Sequence, residues 1–178
     1  MTKVIMSARD IDRSLDRISL EILERNHGVD NLVVMGIHTG GVFLAERIRQ
    51  KIDNREQGSI NIGYLDITLY RDDWSLISQN PIVRKTDIGF QLENQKVVLV
   101  DDVIFTGRTI RAAMDAIMDY GRPGSIQLAV LVDRGGRELP IQPDYVGMTV
   151  MASQNEKVDV LLRENGETDE VVLHEKKA

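Results

Sequence analysis

The sequence predicts an α/β domain: a mainly parallel sheet flanked by helices. Short, mostly apolar runs, LVVMGI at 32–37, KVVLV at 96–100 and IQLAVLV at 126–132, read as strands buried on both faces. The first two lead through glycine-bearing turns into segments of helical spacing. Strands alternating with helices in this way place helices on both faces of the sheet.

The elements follow in chain order. ARDIDRSLDRISLEILERN at 8–26 sets Ile11, Leu15, Ile18 and Ile22 on one helical stripe. After the strand at 32–37 comes the turn HTGG, then VFLAERIRQKI with helical spacing. INIGYLDITL at 60–69 reads as a strand, with Ile60, Ile62 and Tyr64 alternating before the pattern blurs. From Tyr70 to Gly89 the chain is polar and without sustained periodicity, and a loop this long in a compact domain is usually functional or mobile. RTIRAAMDAIMDYG predicts a helix ending at Gly121, with Pro123 just beyond it. VDVLLRE and DEVVLHE, around Asn165-Gly166, predict a small C-terminal hairpin.

Composition narrows the class. The 178 residues, 42% apolar and 28% charged, suit one globular domain spanning 1–178 that buries its own core. With no cysteine, disulfides, thiolate zinc sites and a cysteine nucleophile are excluded. The N-terminal apolar run is too short for a signal-peptide core, and no run approaches the ~20 residues of a membrane span, so a cytoplasmic protein without membrane association is expected. A net charge of −6 argues against nucleic-acid binding by the whole surface but leaves room for a local basic patch.

The chemistry concentrates in VVLVDDVIFTGRTI at 97–110. Ligands of open α/β sheets bind beyond the carboxyl ends of strands, where Asp101 and Asp102 stand. The turn Ile104, Phe105, Thr106, Gly107, Arg108, Thr109 runs straight into a helix, whose N-terminal N–H groups bind phosphate. Carboxylates for sugar hydroxyls followed by a phosphate turn suit a ribose 5-phosphate. An aspartate that merely caps the strand end is the alternative for the acidic pair alone. The P-loop and dinucleotide-binding readings fail, because neither G-x-x-x-x-G-K-[ST] nor G-x-G-x-x-G occurs.

This stretch resembles the phosphoribosyl-pyrophosphate (PRPP) motif of type I phosphoribosyltransferases. DITLYRDD at 66–73, RAAMDAIMDYGRP at 111–123 and QLAVLVDRGGRELPIQPDYVG at 127–147 extend the resemblance to pyrimidine-operon regulators that double as uracil phosphoribosyltransferases. The resemblance covers nearly the whole chain. It implies the type I fold with a flexible lid and a small hood, and transfer of uracil onto PRPP to give UMP and pyrophosphate. Magnesium would be carried by PRPP, near Asp101 and Asp102 rather than on dedicated protein ligands. It also implies a homodimer or higher oligomer.

Site roles follow residue by residue from the same resemblance. Asp101 and Asp102 would hold the ribose hydroxyls, and Ile104 to Thr109 the 5-phosphate. His38, Thr39, Gly40 and Gly41 match the pyrophosphate loop, with one departure: Gly40 stands where G-I-x-T-R-G has arginine. Asp133, Arg134 and Gly135 match the base-binding segment, which reads uracil largely through backbone groups. Arg71, in the expected lid over 70–89, is the candidate catalytic cation; a solvated arginine is the alternative. Orotate would want a further cation in the base pocket, and a purine a larger pocket.

The resembled family also binds pyrimidine-operon leader RNA. Opposite the apolar stripe of the first helix lie Arg9, Arg13 and Arg17, interrupted by Asp16, Leu20 and Glu24. Gln154 and Asn155 stand where RNA-binding members are basic. The expectation is a working transferase whose RNA-regulatory role is weakened, altered or lost.

Overall fold

A computed structural model of the chain describes residues 2–73 and 83–176. Its elements are β1 (Thr2–Met6), α1 (Ala8–Asn26), β2 (Leu32–Ile37), α2 (Gly40–Glu56), β3 (Asn61–Leu65), β4 (Lys96–Ile104), α3 (Arg108–Tyr120), β5 (Ser125–Asp133), β6 (Tyr145–Thr149), β7 (Glu156–Leu161) and β8 (Glu170–Glu175). Five strands form a parallel sheet in the order β3-β2-β4-β5-β6, and β1-β8-β7 form a small antiparallel sheet.

Helix α1 matches the expected 8–26 at both ends. Its start is fixed by a capping box: the Ser7 hydroxyl accepts from the Asp10 N–H, and the Asp10 carboxylate accepts from the Ser7 N–H. It stops at His27, in the left-handed conformation, whose N–H donates to Leu23 and Glu24 carbonyls. Ile11, Leu15, Ile18 and Ile22 are all buried, each stabilising the fold by about 1.5–3 kcal/mol.

The sheet alternates its residues between two cores, as strand geometry requires. Leu32 and Val34 of β2 and Val98 and Val100 of β4 face α1 and α2. Val33, Met35, Val97 and Leu99 face α3, which contributes Ile110, Ala113 and Ile117. Buried on both sides, β2, β4 and β5 are apolar through their middles, from Leu32 to Ile37, Val97 to Val100 and Leu128 to Val132.

Two expectations need correction. The strand expected over 60–69 stops at Leu65; Asp66 takes N–H and hydroxyl bonds from Thr68, and a 3₁₀ turn, Thr68–Tyr70, follows. The strand expected over 96–100 runs on to Ile104, so the acidic pair lies within paired strand rather than after it. Strands β1 and β6 were not expected. β1 is half exposed and pairs only with β8, at the far end of the sequence.

Candidate active site

The sheet order creates the site. From β2 the chain steps outward to β3 and then returns to the other side of β2 as β4. Such reversal points open crevices at strand carboxyl ends. The register pairs Gly36 with Val100, so the turn after β2 lies beside Asp101 and Asp102.

Two adjoining cavities open there. The first, about 360 Å³, is lined by Asp101 and Val103 and by the whole stretch from Ile104 to Ile110, and is rimmed by Asp72 and Glu138. The second, about 430 Å³, is lined by His38, Thr39, Gly40, Asp66, Asp102 and Arg84. Asp101, Val103, Arg71 and Thr109 belong to both. Ribose hydroxyls at the shared wall, a phosphate in the first cavity and a diphosphate in the second would match this division.

The acidic pair is electrostatically costly. Asp101 is only 7% exposed. Burial, and then the neighbouring Asp102 charge, push its carboxyl well above the usual carboxylate range. Burial also raises Asp102, opposed by the Val103 N–H that its carboxylate accepts at 2.7 Å. The two adjacent acids therefore resist full ionisation together. Its Oδ1 accepts the Asp102 N–H at 3.0 Å.

The phosphate turn is shaped by Gly107, whose φ of +91° places it in the left-handed region at the N-cap of α3. The Thr106 carbonyl takes N–H bonds from Glu138 and Leu139, and its hydroxyl accepts from the Arg108 N–H at 3.3 Å. The Arg108 side chain is already engaged: it donates to Asp72 at 2.6 Å and to Glu138 at 2.7 Å. Arg71 likewise donates through two nitrogens to Asp73, each at 2.9 Å. Asp72 and Asp73 are thus partners of site arginines.

On the second cavity, Gly40 and Gly41 allow the start of α2 to press against β4. A Cβ at Gly40 would collide with Asp102 Oδ2, and one at Gly41 with the Val100 carbonyl. Gly40 lines the cavity, whereas Gly41 packs behind it. An arginine side chain in place of Gly40 would thus meet the Asp102 carboxylate.

The segment expected to bind the base stands beside the cavities without lining either. Asp133 pairs with Arg137 at 2.6 Å and accepts the Gly135 N–H at 2.9 Å. Arg134 is 5% exposed, with its guanidinium 3.9 Å from the Phe105 ring centroid and one nitrogen donating to the Ser153 carbonyl. It props the ring that walls the first cavity. Sequence reading missed Asp66, Thr68, Arg84 and Glu138 as site residues; only the fold brings them in. Of the expected lid, 74–82 lie outside the described residues.

The arginine face of α1 is also altered by its contacts. Arg17 donates to the carbonyls of Val146 at 3.0 Å and Gly147 at 2.8 Å, tying α1 to β6. Asp16 takes ion pairs from Lys51 at 2.9 Å and Arg55 at 3.4 Å. Arg9 and Arg13 have no hydrogen-bonding or ion-pair partner among the described residues. Leu20 stands 49% exposed among them.

A doubly covered parallel sheet with a crevice at its reversal point is the frame of a phosphoribosyltransferase, and the chain belongs to that family: the phosphoribosyl transferase domain matches residues 5–162. Within the family it is 53% identical, over 97% of both chains, to proteins named Bifunctional protein PyrR from Bacillus cereus (strain AH820) and Bacillus thuringiensis subsp. konkukian (strain 97-27). A hypoxanthine phosphoribosyltransferase of Trypanosoma cruzi shares the fold with TM-score 0.71 over 98% of this chain and 97% of that one, at 16% identity. A hypoxanthine-guanine phosphoribosyltransferase from Bacillus anthracis gives TM-score 0.66 over 84% of each chain, also at 16% identity. The fold is therefore that of type I phosphoribosyltransferases. Among the described residues, no helix is long and apolar enough to cross a membrane.

Proposed function

We propose that this chain is a uracil phosphoribosyltransferase, joining uracil to PRPP to give UMP and pyrophosphate. The observation that carries the reading is the acidic pair shared by two cavities, one ending in the Thr106–Thr109 phosphate turn, in a chain 53% identical to bifunctional PyrR proteins. In the reaction the N1–C1′ bond forms as the C1′–O bond breaks. The bonding electrons leave with pyrophosphate, and N1 loses its proton. Positioning and charge stabilisation supply the acceleration. Asp101 and Asp102 face the ribose, accepting from its hydroxyls and countering positive charge developing on the sugar. Phe105, backed by Arg134, gives the base a wall.

Among the described residues no three acidic or histidine side chains converge to hold a metal by themselves. The carboxylate oxygens of Asp101 and Asp102 suit a magnesium ion arriving on the diphosphate; bound there, it would neutralise the leaving group as a Lewis acid. We also propose a homodimer or larger assembly, for which exposed Leu69, Met118 and Tyr120, on the Thr68–Tyr70 turn and α3, offer apolar surface. The test is magnesium-dependent product formation from PRPP with uracil, orotate, hypoxanthine or guanine. UMP should dominate; a preference for any other base would overturn the uracil assignment.

A second reading, UMP-responsive binding of pyrimidine-operon leader RNA, is supported by the bifunctional relatives. Against it stand the Arg17 and Asp16 contacts, which withdraw one cation from α1 and set a carboxylate among the rest. RNA affinity rests largely on phosphate contacts. We therefore place the RNA role as weakened, altered or lost. Nanomolar, UMP-enhanced binding to leader RNA over a scrambled control, at physiological salt, would reverse that placement.

A further inference from the structure

We propose that Arg84 supplies the diphosphate-binding cation that the His38–Gly41 turn lacks. The inference rests on the phosphoribosyl reading and goes beyond it, to the residue that selects the leaving group. The second cavity is lined by three acidic residues, Asp66, Asp101 and Asp102, and by two arginines, Arg71 and Arg84. A diphosphate entering it meets like charge on one wall and no arginine or lysine in the glycine turn. Arg71 is already forked onto Asp73. The Arg84 guanidinium has no hydrogen-bonding or ion-pair partner among the described residues, so its five donors remain available.

Its backbone is anchored for the task. The Arg84 N–H donates to the Asp66 carboxylate, whose other oxygen holds the N–H and hydroxyl of Thr68. The Asp66 N–H donates to the Thr86 hydroxyl at 3.0 Å, and Tyr64 and Asp87 exchange two N–H···O bonds, each 2.8 Å. Residues 84–87 are thereby stitched to the end of β3, and Arg84 lines the cavity from an anchored backbone. An arginine fork matches phosphate oxygens in a way a solitary point charge does not. Gly40 fits the same arrangement: its missing side chain leaves the space that Asp102 Oδ2 occupies, so the cation comes from across the cavity.

Calorimetric titration with magnesium pyrophosphate, and separately with ribose 5-phosphate, distinguishes the roles. Arg84→Gln keeps the backbone bond to Asp66 and removes only the charge. It should weaken pyrophosphate by about tenfold or more while ribose 5-phosphate stays within about twofold. Arg84→Lys should recover part of the loss, and Lys85→Gln, the same charge change at a neighbour outside the cavity, should behave as the parent protein. Equal weakening of both ligands, no weakening, or the same loss in Lys85→Gln would overturn the proposal. Parent protein that binds neither ligand would overturn the phosphoribosyl reading along with it. A pyrophosphate-selective loss in a protein that makes no UMP would uphold Arg84 and remove only the uracil assignment.

Discussion

The two ends of the parallel sheet treat buried polarity in opposite ways. At the amino end, Asn26, Gln127 and Tyr145 close a network in which each finds a partner. Asn26 and Gln127 exchange amide bonds of 3.0 and 2.8 Å, and the Tyr145 hydroxyl donates to Gln127 at 2.6 Å. Arg25 and Asp144 pair beside them. At the carboxyl end, two neighbouring aspartates line one cavity, and among the described residues no cation forms an ion pair with either. Polar groups that satisfy one another hold a fold together; polar groups left in mutual conflict wait for a ligand. The same strands thus carry a structural end and a chemical end.

The largest expected break in this comparison is at Asp102. Asp102→Asn should lower turnover by about 10²–10³ at saturating PRPP, by removing charge that stabilises the sugar in the transition state. Its melting temperature should not fall. Turnover like that of the parent protein would remove the assigned role.

Gly40→Ala sharpens the same point sterically. The new methyl group would force the Asp102 carboxylate out of the second cavity. We expect roughly a tenfold or greater loss in kcat/KM for PRPP, with near-normal stability because the displaced group is a side-chain end. Unaltered kinetics would show that Asp102 does not need its present position.

At the structural end the pattern should invert. Gln127→Ala strands the Asn26 amide and the Tyr145 hydroxyl in a buried site and should cost about 1–3 kcal/mol of stability by denaturant unfolding. Turnover of the folded fraction should be unchanged. A loss of activity without loss of stability would erase the distinction between the two ends.

Much of this contrast was legible in the sequence where its parts are contiguous. Asp101, Asp102 and the Thr106–Thr109 turn fall within nine residues, and the stripe on α1 repeats at helical spacing. What escaped depends on distant chain segments meeting. Asp66 and Arg84 are 18 residues apart, and Arg17 reaches carbonyls about 130 residues away. β1 carries too little apolar alternation to announce itself, since its pairing with β8 rather than its own pattern makes it a strand. The commitment of Arg108 to Asp72 and Glu138 was equally hidden, because a sequence shows charges without their partners.

The most direct test of the account is the pH dependence of melting for Asp101→Asn against the parent protein, without ligand. A carboxyl raised in the folded state keeps its proton where the unfolded chain has lost it. It therefore destabilises the fold increasingly as pH rises from the ordinary value of 3.8 toward its raised one, and the penalty persists above that. Asparagine cannot ionise and can still accept the Asp102 N–H through its side-chain oxygen. The account predicts a variant that matches the parent protein near pH 4 and melts at progressively higher temperature than it as pH rises. A variant that melts lower at every pH, as Gln127→Ala should, would contradict the claim that the carboxyl end of the sheet holds its charges in conflict for a ligand.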